Sequence, residues 1–203
     1  MNISVLIILL VGTVVSGCAS VQTEKPEEDL LEFDADTYYE FGKFFYQKKD
    51  YEGAAYRLNV AANKDHSAAQ SLLGQMYLHG TPATPINNKI AYKWLVKSSE
   101  ANDSTAQFNL GYMYSNGVGV KKDYTKAIEW YRRSAEQGHA SAQMSLAVSY
   151  LSGTGVEKSI PTGCSWIGKS IESNSVFAKK ILNSDDPTIK ALITQCPAVA
   201  PSI

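Results

Sequence analysis

Apolar and small residues recur along the middle of the chain at the three- and four-residue spacing of α-helices. Two such stripes follow one another between residues 106 and 135. They consist of Ala106, Leu110 and Met113, then of Ala127, Trp130, Tyr131 and Ser134. Because residues three and four apart share one helix face, each stripe predicts an amphipathic helix.

Glycine and aspartate mark the ends of these two helices. Gly117 and Gly119 are expected to end the first helix and turn the chain, since glycine tolerates positive φ. Asp123 is suited to capping the second helix, and Gly138 to ending it.

The helix pair is expected to pack closely through small residues. Gly111 and Ala127 allow two helices to approach each other, as does Ala135. We expect the ring of Tyr114 or Trp130 to fill the gap beside them.

The same pattern repeats along the chain every 36 or 37 residues. The Ala-Gln pairs that begin at Ala69, Ala106 and Ala142 follow this period, as do Trp94, Trp130 and Trp166. Such a period predicts stacked supersecondary units in which each unit contacts its neighbours.

The unit from Ala106 to His139 resembles the Sel1 repeat, a longer relative of the tetratricopeptide repeat. It reads AQFNLGYMYSNGVGVKKDYTKAIEWY, followed by SAEQGH at residues 134–139. The resemblance implies two antiparallel helices in each unit and an all-α solenoid of about four units with a C-terminal capping helix. The predicted segments are a signal peptide at 1–17, a lipidated acidic tether at 18–36, a repeat domain at 37–196 (units 37–67, 68–104, 105–140 and 141–175, cap 176–196) and a tail at 197–203.

The N-terminal segment has the features of a bacterial export signal. The apolar run from Val5 to Val15 is shorter than the roughly 20 residues that span a bilayer, which disfavours an uncleaved anchor. It ends in Val15-Ser16-Gly17-Cys18, which resembles a lipobox. The resemblance implies lipid attachment at Cys18 and, because no aspartate follows that cysteine, an outer-membrane protein that faces the periplasm.

Charge is nearly balanced over the whole chain, with 19 basic and 20 acidic residues. The balance gives no indication of nucleic-acid binding. Seven acidic residues and one lysine lie between Glu24 and Asp36, so a solvated tether is predicted there.

The sequence lacks the common signatures of catalytic chemistry. It contains no His-Glu-x-x-His, Cys-x-x-Cys or phosphate-loop pattern, and no Gly-x-Ser-x-Gly or Ser-x-x-Lys. His66 and His139 occupy equivalent turns between units, which favours a capping role. We therefore predict a non-enzymatic protein that needs no cofactor and no metal.

Two cysteines remain, Cys164 and Cys196. An oxidising compartment would allow them to form a disulfide, and two separate buried thiols are the alternative. If their helices run parallel, about nine residues at 1.5 Å rise would place the sulfurs roughly 13 Å apart. The sequence leaves the pairing open.

The first helices of such a solenoid line a concave surface on which a protein or peptide partner can bind. By analogy with tetratricopeptide geometry, exposed positions are counted from the small residue of each first helix. The predicted partner-binding residues are Tyr39, Lys43, Tyr46, Gln75, Leu78, Phe108, Tyr112, Met144 and Val148. The same count places Ser71, Ser115 and Leu151 on this surface. Packing between units is the alternative role for Phe108 and Met144.

Three functions are compatible with this pattern. We favour a non-catalytic scaffold or adaptor that binds a protein in the cell envelope and reaches the membrane through its lipid. An immunity or inhibitor protein that neutralises a secreted toxin is the alternative. An enzyme that acts on the cell wall or on β-lactams is the third and weakest hypothesis.

Overall fold

The computed structural model describes residues 33–173, together with residues 183, 187, 190–191 and 194–196. These residues contain eight complete α-helices of 13 residues each, further helical residues at 187 and 190–191, and no strand. The helices are α1 (Ala35–Gln47), α2 (Tyr51–Asn63), α3 (Ser67–His79), α4 (Asn88–Glu100), α5 (Ser104–Asn116), α6 (Tyr124–Glu136), α7 (Ala140–Ser152) and α8 (Ile160–Glu172). The predicted all-α repeat fold is confirmed. The predicted signal peptide, Cys18, most of the tether and of the cap, and the tail lie outside the described residues.

Helices pair within each unit and then pack against the next unit. The pairs are α1–α2, α3–α4, α5–α6 and α7–α8, and each second helix also contacts the following first helix. First helices of neighbouring units touch as well, α1 with α3 and α3 with α5. We call the surface formed by α1, α3, α5 and α7 the first-helix face.

The folded domain begins earlier than predicted. Helix α1 starts at Ala35, where the Oδ1 atom of Asp34 accepts a hydrogen bond of 2.7 Å from the Thr37 amide. The Phe33 ring meets Tyr38 edge-on at 5.8 Å. Acidic residues favour a helix N-terminus, so the last acidic residues of the predicted tether cap and begin a helix instead.

Every described helix has a side-chain cap at its N-terminus. The capping residues are Asp34, Asp50, His66, Asn87, Asp103, Asp123, His139 and Ser159. The predicted cap at Asp123 is confirmed, with a 3.0 Å bond from the Lys126 amide. The two histidines also cap helices, as their shared repeat position suggested.

Three buried serines tie the two helices of a unit together. Ser98 donates its hydroxyl to the Ser67 carbonyl at 2.8 Å, and Ser134 donates to Ser104 at 2.6 Å. Ser170 makes the same bond to the Ala140 carbonyl at 2.9 Å. All three serines are fully buried. Each bond joins a second helix to the start of its own first helix, which fixes the register of the pair.

Glutamines of the Ala-Gln pairs tie one unit to the preceding one. Gln70 donates to the Ala62 carbonyl at 3.0 Å, and Gln143 donates to the Ala135 carbonyl at 3.2 Å. Both glutamines are almost fully buried. Because buried amides require partners, these bonds explain why a polar residue recurs in the core.

Close packing inside a unit differs from the prediction in one detail. The ring beside Gly111 belongs to Tyr131, and a Cβ on this glycine would lie 2.5 Å from the ring. Tyr114 packs against the cluster that contains Ala127 and Ala135, as predicted, but the ring nearest to Gly111 is that of Tyr131. Successive residues of a helix point about 100° apart, so the Tyr131 ring points in a different direction from the Trp130 ring of the same helix.

The second glycine of each Gly-x-Gly loop contacts the preceding unit. A Cβ at Gly155 would lie 2.6 Å from the Cβ of Tyr124, and one at Gly119 would lie equally close to Asn88. Both glycines also have positive φ, as predicted for Gly119. Glycine is therefore required at each position for two reasons: the positive φ of the turn and the close contact between units.

A disulfide joins Cys164 of α8 to Cys196, with 5.3 Å between the Cα atoms. The sequence left this pairing open, and the structure shows the disulfide rather than two separate thiols. Cys196 follows a turn at residues 194–195. Cys196 is fully buried in a cluster with Leu151 and Ile167. The bond thus holds the C-terminal segment against the last unit.

Candidate functional site

The first-helix face carries a groove between units one, two and three, which we call the N-terminal groove. Its volume is about 350 Å³. Its lining residues are Tyr39, Lys43, Tyr46, Gln47, Ala68, Ser71, Leu72, Gln75, Asp103 and Thr105. Four of the nine predicted partner-binding residues thus lie together: Tyr39, Lys43, Tyr46 and Gln75.

Aromatic rings and one cation form the α1 wall of this groove. The Tyr39 ring stacks on His66 with 4.4 Å between centroids, and the Lys43 ammonium lies 5.1 Å from the Tyr39 ring. Lys43 also donates to Glu40 at 2.7 Å, and this bond raises the pKa of the lysine. The wall therefore has a positioned ring and a charge that stays positive at neutral pH.

A second depression, the C-terminal cleft, lies between units three and four and has a volume of about 280 Å³. Its lining residues are Ser115, Tyr124, Ala127, Ile128, Tyr131, Met144, Ser145, Val148, Ser149, Ser152 and Thr154. Val148 and Met144 of the predicted set contribute to it. Its lining combines hydroxyl-bearing side chains with apolar ones.

The Tyr131 side chain lines this cleft and is largely buried. Its hydroxyl lies 3.1 Å from the hydroxyl of Ser115, and the residue is 6% exposed. Burial raises the pKa of Tyr131, so the phenol stays protonated. The cleft consequently offers neutral hydroxyls and apolar surface.

Several residues predicted to be exposed on this face are buried instead. Leu78 and Met144 are 6% and 1% exposed, and Ser71 and Leu151 are buried as well. The positions had been counted from Gly74 and Ala147. Residues three and four from a buried small residue share its helix face, which favours the burial of these side chains. Leu78 therefore packs in the core and is removed from the predicted contact surface, whereas the buried Met144 lines the C-terminal cleft.

Phe108 and Tyr112 differ from each other in exposure. Phe108 is half-buried and stacks on His139 with 4.9 Å between ring centroids, which matches the packing alternative. Tyr112 is 38% exposed and remains available for contact.

The two capping histidines act as hydrogen-bond acceptors. His66 Nδ1 accepts from the Ala69 amide at 3.1 Å, and His139 Nδ1 accepts from the Ala142 amide at 3.3 Å. Burial lowers the pKa of His139, which favours the neutral ring that the cap requires. Among the described residues, no group of three His, Cys, Asp or Glu side chains is placed to hold a metal ion.

Some groove residues were missed by the sequence analysis. Ala68, Leu72 and Thr105 line the N-terminal groove, and Ser145 and Ser149 line the C-terminal cleft. Ala68 and Leu72 share a helix face with Gln75, and Ser145 and Ser149 share one with Ser152, a spacing that is visible in the sequence. No residue type at these positions distinguishes contact surface from ordinary exposed helix, so the signal is weak.

None of the described helices combines the length and the apolar character needed to cross a membrane.

Comparison with known proteins connects this architecture to one repeat family. A sequence model of the Sel1 repeat matches residues 67–103, 104–139 and 140–175, together a little over half of the chain. These ranges correspond to units two to four. The first unit, at residues 37–67, lies before the matched ranges apart from its last residue, Ser67.

Solved structures show the same fold. A Sel1 repeat protein from Oxalobacter formigenes is 29% identical with a TM-score of 0.65, over 81% of this chain and 70% of its own. A protective antigen of uropathogenic Escherichia coli is 26% identical with a TM-score of 0.65, over 81% and 38%. Cysteine rich protein B of Helicobacter pylori is 26% identical with a TM-score of 0.50, over 61% and 93%.

A curated relative is similar over a shorter stretch. The chitin synthase regulator SKT5 of Malassezia restricta is 33% identical over 70 residues, which is 34% of this chain and 5% of the fungal protein. The repeat match covers the helix pairs of units two to four. The chain belongs to the Sel1 repeat family.

Proposed function

We propose that the protein is a non-catalytic adaptor of the bacterial envelope that binds a protein or peptide partner on its first-helix face. Sel1 repeats mediate protein–protein interactions, and their fold is typically a scaffold without catalytic function. The observation that carries the proposal is the N-terminal groove, where Tyr39, Tyr46, Lys43 and Gln75 converge.

The chemistry of the two depressions supports partner binding. Aromatic side chains provide large contact areas at protein interfaces, and they often carry much of the binding energy. Tyr112 and Tyr124 are exposed to 38% and 41% and lie on or beside the same face. Exposed aromatic residues with polar neighbours are typical of interaction surfaces.

The proposed location rests on the sequence. The apolar run and the Val15-Ser16-Gly17-Cys18 segment support export and lipid attachment at Cys18, with the outer membrane as the site and the periplasm as the facing compartment. The disulfide between Cys164 and Cys196 fits an oxidising compartment.

Affinity capture with matched variants tests partner binding. The full chain is used to retain proteins from its own solubilised envelope, beside a Tyr46→Ala/Tyr112→Ala variant. A Lys89→Ala/Glu136→Ala variant, which alters exposed residues of α4 and α6, is the control. The proposal predicts a specific partner whose recovery falls at least tenfold only in the tyrosine variant. Equal recovery with all three proteins would refute binding at this face.

The identity of the partner separates the adaptor from the inhibitor. A retained envelope protein supports the adaptor, whereas a secreted toxin whose activity is blocked supports the immunity role.

The anchor is tested independently by Cys18→Ser. Loss of the lipid should change the electrophoretic mobility and release the protein from the membrane fraction. Unaltered mobility and fractionation would contradict lipid attachment at this residue.

A further inference from the structure

One stripe of each first helix packs the unit onto the second helix of the preceding unit. The stripe occupies the third, seventh and tenth positions of the helix, which share one helix face. In units two and three these side chains are at most 2% exposed and cluster with residues of α2 and α4. They are Ala69, Leu73 and Met76 in α3, and Ala106, Leu110 and Met113 in α5.

Unit one carries the same stripe on α1. Its residues are Thr37, Phe41 and Phe44, and all three are only half-buried. Among the described residues, no second helix precedes α1. The two rings make local contacts, Phe41 with Phe33 at 5.7 Å and Phe44 with Phe45 at 5.6 Å between centroids. Two large apolar side chains therefore occupy core positions at the end of the described solenoid.

An apolar stripe is unexpected at this end of a repeat domain. The terminal units of solenoids normally have a polar outer face, which keeps the domain soluble. Lys48 lies on the same side of α1, with its ammonium 5.6 Å from the centre of the Phe44 ring. We call the surface of Thr37, Phe41, Phe44 and Lys48 the N-terminal end face. Its phenylalanines favour a further apolar surface that packs against it.

The order of charges along α1 indicates what this surface is. Asp36 and Glu40 precede the two phenylalanines, Lys48 and Lys49 follow them, and all four side chains are exposed. Two parallel copies of α1 would place like charges side by side. Two antiparallel copies would place the acids of each beside the lysines of the other, with the phenylalanines meeting between them. The end face is thus complementary to a second copy of itself.

Both acids can reach such a partner. Asp36 lies 3.3 Å from His66, and Glu40 accepts a 2.7 Å bond from Lys43, on the groove side of the helix. A carboxylate has about four acceptor sites, so these contacts leave room for a lysine of the other copy.

The segment that precedes α1 is less suited to cover the end face. Residues 19–32 contain five acidic residues and one lysine, and their large apolar residues are Val21, Leu30 and Leu31. Packed against α1, this segment would place its acids beside Asp36 and Glu40, and like charges repel each other. Charge complementarity therefore favours a second copy over the chain's own segment.

We infer that two copies of the chain associate through their N-terminal end faces, with the two α1 helices antiparallel across a two-fold axis. Phe41 and Phe44 of each copy pack against those of the other. A two-fold contact uses the same surface on both copies and closes on itself, so the assembly stops at a dimer. Tyr39 and Tyr46 lie on the groove side of α1, so failure of this inference would leave the proposed function untouched.

Co-purification of two tagged copies tests the dimer. Full-length chains with different affinity tags are co-expressed and purified in detergent through one tag, and the recovery of the other copy is measured. The unchanged chain should recover its second copy, and Phe41→Gln/Phe44→Gln should lower that recovery about tenfold or more. Tyr39→Gln/Tyr46→Gln, which changes two rings on the groove side of the same helix, is the matched control. It should leave the recovery unchanged.

Exchange of charges gives a signature that a merely structural role of these residues would not give. Asp36→Lys/Glu40→Lys and Lys48→Glu/Lys49→Glu each place like charges across the antiparallel contact. Each variant should recover its own kind about tenfold less than the unchanged chain does. Co-expressed with each other, the two variants restore opposite charges on both sides of the axis. Their mutual recovery should return to within about twofold of the unchanged chain, a difference of less than 1 kcal/mol.

Three results would overturn the inference: no recovery of a second unchanged copy, full recovery with Phe41→Gln/Phe44→Gln, or no restoration by the paired charge variants. The charge variants keep the test decisive if the phenylalanine variant does not fold. A monomer whose urea midpoint falls with Leu30→Ser/Leu31→Ser would assign the end face to the chain's own segment instead, and this too would overturn the dimer.

Discussion

The ring of Tyr131 lies against Gly111 so closely that a Cβ atom on the glycine would stand 2.5 Å from it. This contact joins α5 to α6 at the centre of the third unit. It leaves no room for a methyl group unless the ring moves, and the ring is itself buried against Phe108.

Gly111→Ala is therefore expected to destabilise the domain by about 1–3 kcal/mol, the usual cost of overpacking. Urea unfolding followed by circular dichroism measures the change. Gly168→Ala is the matched control, because a Cβ there meets nothing within 4 Å. It should stabilise by about 0.5–1 kcal/mol through helix propensity. Equal effects of the two substitutions would contradict the packing described for Gly111.

Ser134→Ala removes the buried bond that joins α6 to the start of α5. The expected loss is about 1 kcal/mol, since the Ser104 carbonyl keeps its helical bond. The same urea titration measures it, with Ser165→Ala as an exposed control whose effect should stay within about 0.5 kcal/mol. No difference between these variants would show that the serine bond contributes nothing to the register of the pair.

Stability should fall on acidification because of His139. Burial lowers its pKa, so the unfolded chain binds the proton more readily than the folded chain. The stabilisation that depends on the neutral His139 ring is fully present above the ordinary histidine pKa of 6.5. It is lost as the pH falls below 6.5 and passes the lower pKa of the folded state. Protonation of Nδ1 would also remove the acceptor that caps α7.

Unfolding midpoints between pH 8 and pH 5 test this, with His139→Asn as the comparison. Asparagine can cap the helix and does not titrate in this range. The variant should show a shallower loss of stability below the ordinary histidine pKa. Identical pH profiles for the two proteins would exclude His139 as the source.

Reduction of the disulfide should weaken the C-terminal end of the solenoid. Cys164 and Cys196 are 32 residues apart, and closing a loop of this size contributes roughly 2–4 kcal/mol. Urea unfolding with and without dithiothreitol measures the effect. The Cys164→Ser/Cys196→Ser variant should resemble the reduced protein and be insensitive to the reagent. A midpoint that reductant does not change would show that the bond adds no stability.

The repeat period predicts the placement of units well because each structural role recurs at a fixed spacing. The cap Asp123 and the turn glycines Gly117 and Gly119 occupy predicted places. These signals depend on local backbone chemistry, which the sequence shows directly.

Side-chain direction within a helix was predicted less well. Tyr131 and Trp130 are neighbours in the apolar stripe of α6. The spacing of that stripe does not show which of the two contacts Gly111. The burial of Leu78 and Met144 has the same origin, because the count from a small residue did not fix the rotation of the helix.

Site-specific photo-crosslinking in living cells tests the central claim, that the first-helix face binds the partner. A benzophenone amino acid is placed in turn at Tyr46, Gln75, Lys93 and Glu129. The first two positions lie in the N-terminal groove or its wall, and the last two are exposed on the second helices α4 and α6. Partner binding at this face predicts one adduct of the same mass from Tyr46 and Gln75 and none from Lys93 and Glu129. Adducts only from the second-helix positions, or from none of the four, would contradict it.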